Sequence, residues 1–414
     1  MSASDVLTDA SGRAAVQFTL PATPGEHIVR AWAAGGSDTL TFRFLALEPI
    51  EDNFVQVVAG EAHTCALDEN GAAFCWGENN VGELGAGLDG WDFINRPVRV
   101  AGGHSFRKLA AGHFGTTCGV TTDDDLYCWG YGNSANLGNG DDIHSRVPVK
   151  VAGDLRWKDV GVGTWHTCGV TTDGAGYCWG DGSYGSFGNG SSSQWSTVPV
   201  PVTMPAGVQF DAITAGEVWF TCALSTTGQA YCWGSSSGGV LGIGSVGSSR
   251  TLPTEVVGGH TFTSISAGQD HVCAATGTGA YCWGWGGDGQ LGTGDDPPVG
   301  NSGTPLPVAG SQYFHAVEVG EYFSCALTDG NRAHCWGGGW DGQLGNGLQG
   351  QALSPVAVLG GHYFTSIAAG VEHTCAVATN GAVYCWGRNT DEDRLGVGSP
   401  EYYVTTPMKV GGEP

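Results

Sequence analysis

The sequence predicts an all-β fold: a seven-bladed β-propeller with four-stranded antiparallel blades, preceded by a partial β-sandwich-like segment. Three observations predict it. Glycine fills 72 of 414 positions while only 14% of residues are charged, a balance that suits many tight turns and works against long helices. The triplet Cys-Trp-Gly recurs seven times, beginning at Cys75, Cys128, Cys178, Cys232, Cys282, Cys335 and Cys385, and so sets a blade-length period. Each period holds four short strand-like runs separated by turn chemistry, which describes one antiparallel sheet. Such a sheet, apolar on both faces, is unstable alone, and radial packing of seven sheets buries those faces.

The elements of each unit follow in a fixed order. A short apolar run ending in Ala-Gly or Val-Gly, such as FVQVVAG or FTSIAAG, forms the first strand. The second carries a cysteine (Cys65, Cys118, Cys168, Cys222, Cys273, Cys325 or Cys375) and the third carries the Cys-Trp-Gly triplet. A glycine-rich turn ending in Leu-Gly-x-Gly or a close variant leads to a Pro-containing fourth strand such as RPVRV or VPVKV. The last unit ends in Pro407 to Val410, whereas no Pro-containing strand of this type precedes Phe54. The expectation is therefore that Met408 to Val410 closes the ring by completing the first blade, which removes an open sheet edge.

Hairpin geometry accounts for the cysteine spacing. Opposing Cys65 to Cys75 leaves the three-residue loop Glu69, Asn70, Gly71, and the third position of such a loop wants a residue tolerant of positive φ. The same register puts Gly174, Gly228 and Gly381 there, with Asn331 and Asp124 in two other repeats, the residue types that best tolerate that conformation after glycine. The fifth repeat is one residue shorter, and opposing Cys273 to Cys282 leaves a two-residue turn that begins with Gly277, the preference of a type II′ turn. Directly opposed residues approach closely enough for a disulfide, so all 14 cysteines are expected in seven intrablade pairs. The alternatives are reduced cysteines packing the blade interior and zinc, for which the C-x9-C spacing and two thiols per blade are unsuitable. Pairing implies an oxidising compartment, hence a secreted or cell-surface protein.

Charge narrows the function. A net charge of -24 offers no broad basic surface for phosphates, so no nucleic-acid partner is expected. No apolar run is long enough to span a bilayer, so no membrane insertion is expected. No nucleophile elbow, phosphate loop or HExxH helix is present, and no cofactor or metal is implied. The acidic pairs Asp141 and Asp142, and Asp295 and Asp296, lack a calcium-loop pattern and read as solvated loop charge.

The candidate site is the variable segment between the first strand and the first cysteine of each blade, because those segments gather at one rim of the axis and loops on rigid scaffolds carry binding. It brings together Glu61, Glu217, Asp270, Glu321 and Glu372 with Phe114, Trp165, Trp219, Phe220, Tyr322 and Phe323. Aromatic anchors among acidic groups suit a basic protein surface or a glycan. His63, His166, His271 and His373 recur two residues before the cysteine and are expected to make a structural hydrogen bond rather than hold metal. The triplet tryptophans are expected to pack blade against blade.

The unit His-Thr-Cys-Ala-Leu…Cys-Trp-Gly…Gly-x-Leu-Gly-x-Gly, carried almost whole by His63 to Gly87, resembles the repeat of the regulator of chromosome condensation family. All seven copies match in part, from about Phe54 to Val410. The resemblance implies a seven-bladed propeller that presents one face to a protein partner. The paired cysteines are similar to those of bacterial, exported members and depart from the intracellular ones. Two alternatives follow: an intracellular guanine-nucleotide exchange or chromatin-type regulator, by analogy with the family, and a hydrolase with acids such as Glu217 and Glu321 at the axial opening. The residues split into 1–47, a segment that resembles part of a bacterial immunoglobulin-like domain through the runs AAVQFTL, EHIVRAWA and TLTFRFLAL, and 48–414, the propeller. Three strands are too few for a sandwich, so the chain is expected to be cut from a larger multidomain protein.

Overall fold

The computed structural model describes the backbone of residues 25–32 and 39–46, and residues 51–411 apart from 90–91, 297 and 391–393. The chain divides into Met1–Pro49 and Ile50–Pro414. In the first unit Gly25–Trp32 pairs antiparallel with Thr39–Ala46 as a two-stranded sheet. The run AAVQFTL of the expected immunoglobulin-like fragment lies outside the described residues.

The second unit is a seven-bladed propeller of four-stranded antiparallel blades. Blade 1 consists of Phe54–Ala59, His63–Asp68, Ala73–Glu78 and Phe93–Arg99, and each later blade repeats that order, so that blade 7 consists of Phe364–Ala369, His373–Ala378, Val383–Arg388 and Tyr403–Lys409. This corrects the expected exchange of the last strand into the first blade. Blade 1 supplies its own fourth strand, with Val98 opposite Cys75, while Met408 lies opposite Cys385. The Pro-containing strand ends each repeat rather than beginning it.

Closure comes from latches between blades. Each triplet tryptophan is fully buried, and its indole N–H donates to a carbonyl of the preceding blade's glycine turn: Trp129 to Glu83, Trp179 to Asn136, and across the closing seam Trp76 to Leu395, at 2.8–3.1 Å. The first glycine of Leu-Gly-x-Gly lies against that ring. At Gly138, φ is +64° and a Cβ would stand 2.6 Å from Trp179, so no other residue fits without displacing the indole.

The second glycine of the motif uses the fourth strand's proline. In every blade the register of strands three and four slips across three residues that include Pro97, Pro148, Pro199, Pro253, Pro305, Pro355 or Pro407. Proline's missing N–H costs nothing inside a bulge on an outer strand. The bulge turns a carbonyl outward, and the preceding blade's glycine N–H donates to it: Gly87 to Arg146, Gly140 to Thr197, Gly190 to Thr251.

The cysteines form seven disulfides, each within one blade, with Cα atoms 4.0–4.1 Å apart. Hairpin loops close as the spacing requires, with φ of +84° at Gly71, +62° at Asp124, +59° at Asn331 and +78° at Gly277. The histidines join neighbouring blades: His63 to Thr117 and His166 to Thr221 at 2.8 Å, and His373 to Thr64 at 2.9 Å over the seam. Burial lowers their pKa values, to about 4 for His63 and His166 and to about 3 for His271 and His373. They are neutral in the folded protein.

First strands line an axial cavity of about 260 Å³. Their inner edges lack a strand partner, and side chains serve instead: Gln56 both donates to and accepts from the Leu109 backbone, and Asp159 accepts from the Ile213 N–H and pairs with Lys108. Glu318 lines the same channel, and desolvation pushes its pKa up to about 7.

Candidate binding face

Connections from strand one to two and from strand three to four emerge on the same face of the wheel, because strands alternate in direction. The first set forms the expected rim. Its length varies: Gly112 to Cys118 and Gly216 to Cys222 hold one residue more than the corresponding segments, such as Gly163 to Cys168. The extra residue forces each loop outward, and Phe114 (φ +55°) and Trp219 (φ +47°) take the left-handed conformation. Tyr184, in the three-to-four turn of blade 3, has φ +56°, the conformation taken at the same place in blade 4 by Gly238. Bulky residues are rare there, and each costs about 1–3 kcal/mol of strain held by the surrounding structure.

These loops assemble a continuous aromatic patch over blades 2 to 4. Trp165 and Trp219 stack with centroids 5.7 Å apart and planes 8° from parallel. Phe114 stands edge-on to Trp165 at 5.2 Å, and Tyr184 tilts against Trp219 at 5.4 Å. Tyr131 lies 6.1 Å from Phe114 and 5.1 Å from His144. The Trp219 indole N–H donates to Asp181 at 3.2 Å, and the other Asp181 oxygen accepts from the Ser183 N–H and hydroxyl. Phe114 is 43% exposed and Tyr184 55%, whereas Trp165 and Trp219 are half-buried beneath them.

Two expected rim residues are elsewhere. Phe220 and Phe323 are fully buried at the start of second strands, where blades 1, 3, 5 and 7 place histidine. The acids are also differently employed. Glu217 is buried, with one oxygen 2.5 Å from His113 Nε2, a contact that spans from blade 4 to blade 2. Glu372 accepts from Arg388 at 2.6 Å on both oxygens and faces Arg394 at 3.8 Å. Glu321 accepts from the Gln269 amide at 3.1 Å and from the Tyr322 hydroxyl, and burial raises its pKa. The hydrogen bond to Glu321 raises that of Tyr322 in turn. Asp270 is raised by burial and by the Glu321 charge. Glu61 is half-buried at the rim of blade 1. Tyr131, Tyr184 and Asp181 escaped the sequence reading because it considered only the one-to-two loops, although all three follow a Cys-Trp-Gly triplet within six residues.

Comparison with known proteins fits this architecture. Signatures described as "Regulator of chromosome condensation (RCC1) repeat" match residues 54–83, 157–186, 210–239, 262–290, 314–343 and 364–392, and a second form of the same repeat matches 123–170, 227–275, 279–327 and 331–377. Together they cover well over half of the chain. The chain belongs to the RCC1-repeat family. It is 29% identical over 303 residues to the ultraviolet-B receptor UVR8 of Arabidopsis thaliana, covering 71% of this chain and 67% of that protein. It is 28% identical over 342 residues to the mitochondrial RCC1 domain-containing protein RUG3 of the same plant, covering 79% and 71%. Among solved structures it is similar in fold to human WBSCR16 (TM-score 0.71, 19% identity, 82% of this chain and 89% of that one). It is similar also to Prp20p of Saccharomyces cerevisiae (TM-score 0.68, 20% identity, 83% and 84%), whose structure was described with its binding to Gsp1p and histones. As an RCC1-repeat propeller, the chain is a protein-binding type of scaffold.

Proposed function

We propose that this propeller is a non-enzymatic binding scaffold that works in an oxidising compartment, secreted or at a cell surface, and presents the blade 2–4 sector of its rim to a protein. The observation that carries the reading is the aromatic patch itself: three rings held in a strained backbone conformation at the surface of a disulfide-braced wheel. Strain of that kind is retained where a surface must be preorganised. A glycan fits less well, because the one near-parallel pair, Trp165 and Trp219, is half-buried, and the more exposed rings Tyr184 and Phe114 are tilted against it at 46° and 85°. The hydrolase alternative is weakened by the burial of Glu217, one oxygen of which lies against His113. The intracellular-regulator alternative rests on relatives under 30% identical and requires the seven disulfides to survive a reducing cytosol.

A photo-crosslinking amino acid at Tyr184, with the same group at Tyr363 on the opposite face as control, tests the reading in extracts and secretions of the source cells. Protein adducts at 184 and none at 363 are expected. Equal labelling at both positions, or none at 184, overturns it.

A further inference from the structure

Charge on the binding face is one-sided. In the connections that emerge there, Arg394 is the one Lys or Arg that the sequence supplies, against acids that include Glu61, Asp141, Asp142, Asp270 and Glu321. Arg394 faces Glu372 on the blade 7 side, away from the aromatic sector. Two arginines on fourth strands border the sector, Arg146 bonded to the Asn79, Asn80 and Leu88 carbonyls and Arg250 to the Ser248 and Ser249 carbonyls. The charge there is thus biased towards acid but not free of cations, and the two most exposed rings of the patch, Phe114 and Tyr184, lie at its outer surface. Resting on the reading that this sector is the interface, we infer that its partner is a cationic protein segment, with Arg or Lys stems lying on Phe114 and Tyr184 and their heads among the surrounding carboxylates. Rings of this kind attract cations through their faces, and an acidic surface speeds the approach of a basic one. A second copy of this chain is disfavoured as occupant, since two faces of the same sign would have to meet.

The probe is a fluorescein-labelled nona-arginine peptide, followed by anisotropy at low and moderate salt. Phe114→Gly with Tyr184→Gly removes both rings, keeps the net charge and suits the left-handed backbone, so folding is retained. Asp123→Asn with Asp154→Asn and Asp329→Asn removes three exposed charges from opposite-face connections. The inference expects the glycine pair to weaken binding about ten-fold, the asparagine triple to change it by less than about two-fold, and binding to fall as salt rises. A glycine pair that binds as well as wild type, or an asparagine triple that weakens binding as much as the glycine pair, overturns it by showing adsorption to net charge alone. So does failure of the wild type to bind the peptide at low salt. Each of these leaves a specific adduct at position 184 standing, and with it the broader interface reading.

Discussion

Trp179 ties two blades with one side chain. Its ring is fully buried and its N–H meets the Asn136 carbonyl at 2.8 Å. Trp179→Phe removes that hydrogen bond and part of the ring volume, for an expected loss of about 2–4 kcal/mol in urea unfolding. Gly138→Ala is expected to destabilise as well, because it drives a Cβ into the same indole from a positive φ. The buried histidines give a pH prediction with a definite sign. His166 titrates at about 4 when folded against an ordinary 6.5, so the unfolded chain takes up its proton first. The stabilisation is full above pH 6.5 and is lost as pH falls towards 4. His166→Phe, the residue that blades 4 and 6 carry at this place, is expected to flatten that limb of the stability curve, and an unchanged slope contradicts the assignment. Local constraints of this kind were legible in the sequence. The sign of φ at Gly71, Asp124 and Asn331 depends only on hairpin length. The burial of Phe220 and Phe323 was not legible, because a segment of four or five residues does not show where the loop ends and the strand begins.

At the scale of the element, the hairpin and the bulged outer strand share the work of a blade. Each disulfide closes a loop of ten or fewer residues between strands two and three. The chain-entropy model puts removal of one pair, Cys168→Ala with Cys178→Ala, at about 2–3 kcal/mol. The other six blades are untouched, so the variant is expected to fold with a lower urea midpoint and a slope equal to or slightly above that of the wild type, because the unfolded chain loses one constraint. Strand content and pairing register could be read from the spacing because both cysteines sit on one narrow pair of the ladder. Phase could not. A repeat is cyclic in sequence, and only the pairing of Phe93–Arg99 with blade 1 shows that the Pro-containing strand closes its own blade. The bulge itself was hidden in the same strand, since proline signals an outer position but not the carbonyl that it frees for the neighbouring blade.

At the scale of the molecule, repetition builds the wheel and departures from repetition mark its face. The tryptophan latches and the glycine-to-bulge bonds recur around the axis, and the histidine-to-hydroxyl bonds recur from blades 1, 3, 5 and 7. The one-residue insertions at Phe114 and Trp219, the ring at Tyr184 and the scarcity of basic residues in the connections on that face do not. Sequence reading found half of this patch because aromatic residues stand out in a variable loop. It missed Tyr131 and Tyr184, which reach the patch from a different turn that is adjacent only in the folded wheel. Every functional statement rests on a rigid, oxidised scaffold, so the decisive measurement is a non-reducing peptide map of protein alkylated while denatured. The account predicts seven linked peptide pairs, each joining the two cysteines of one blade, and no alkylated thiol. Cysteines recovered alkylated, or linkages that join different blades, would contradict it.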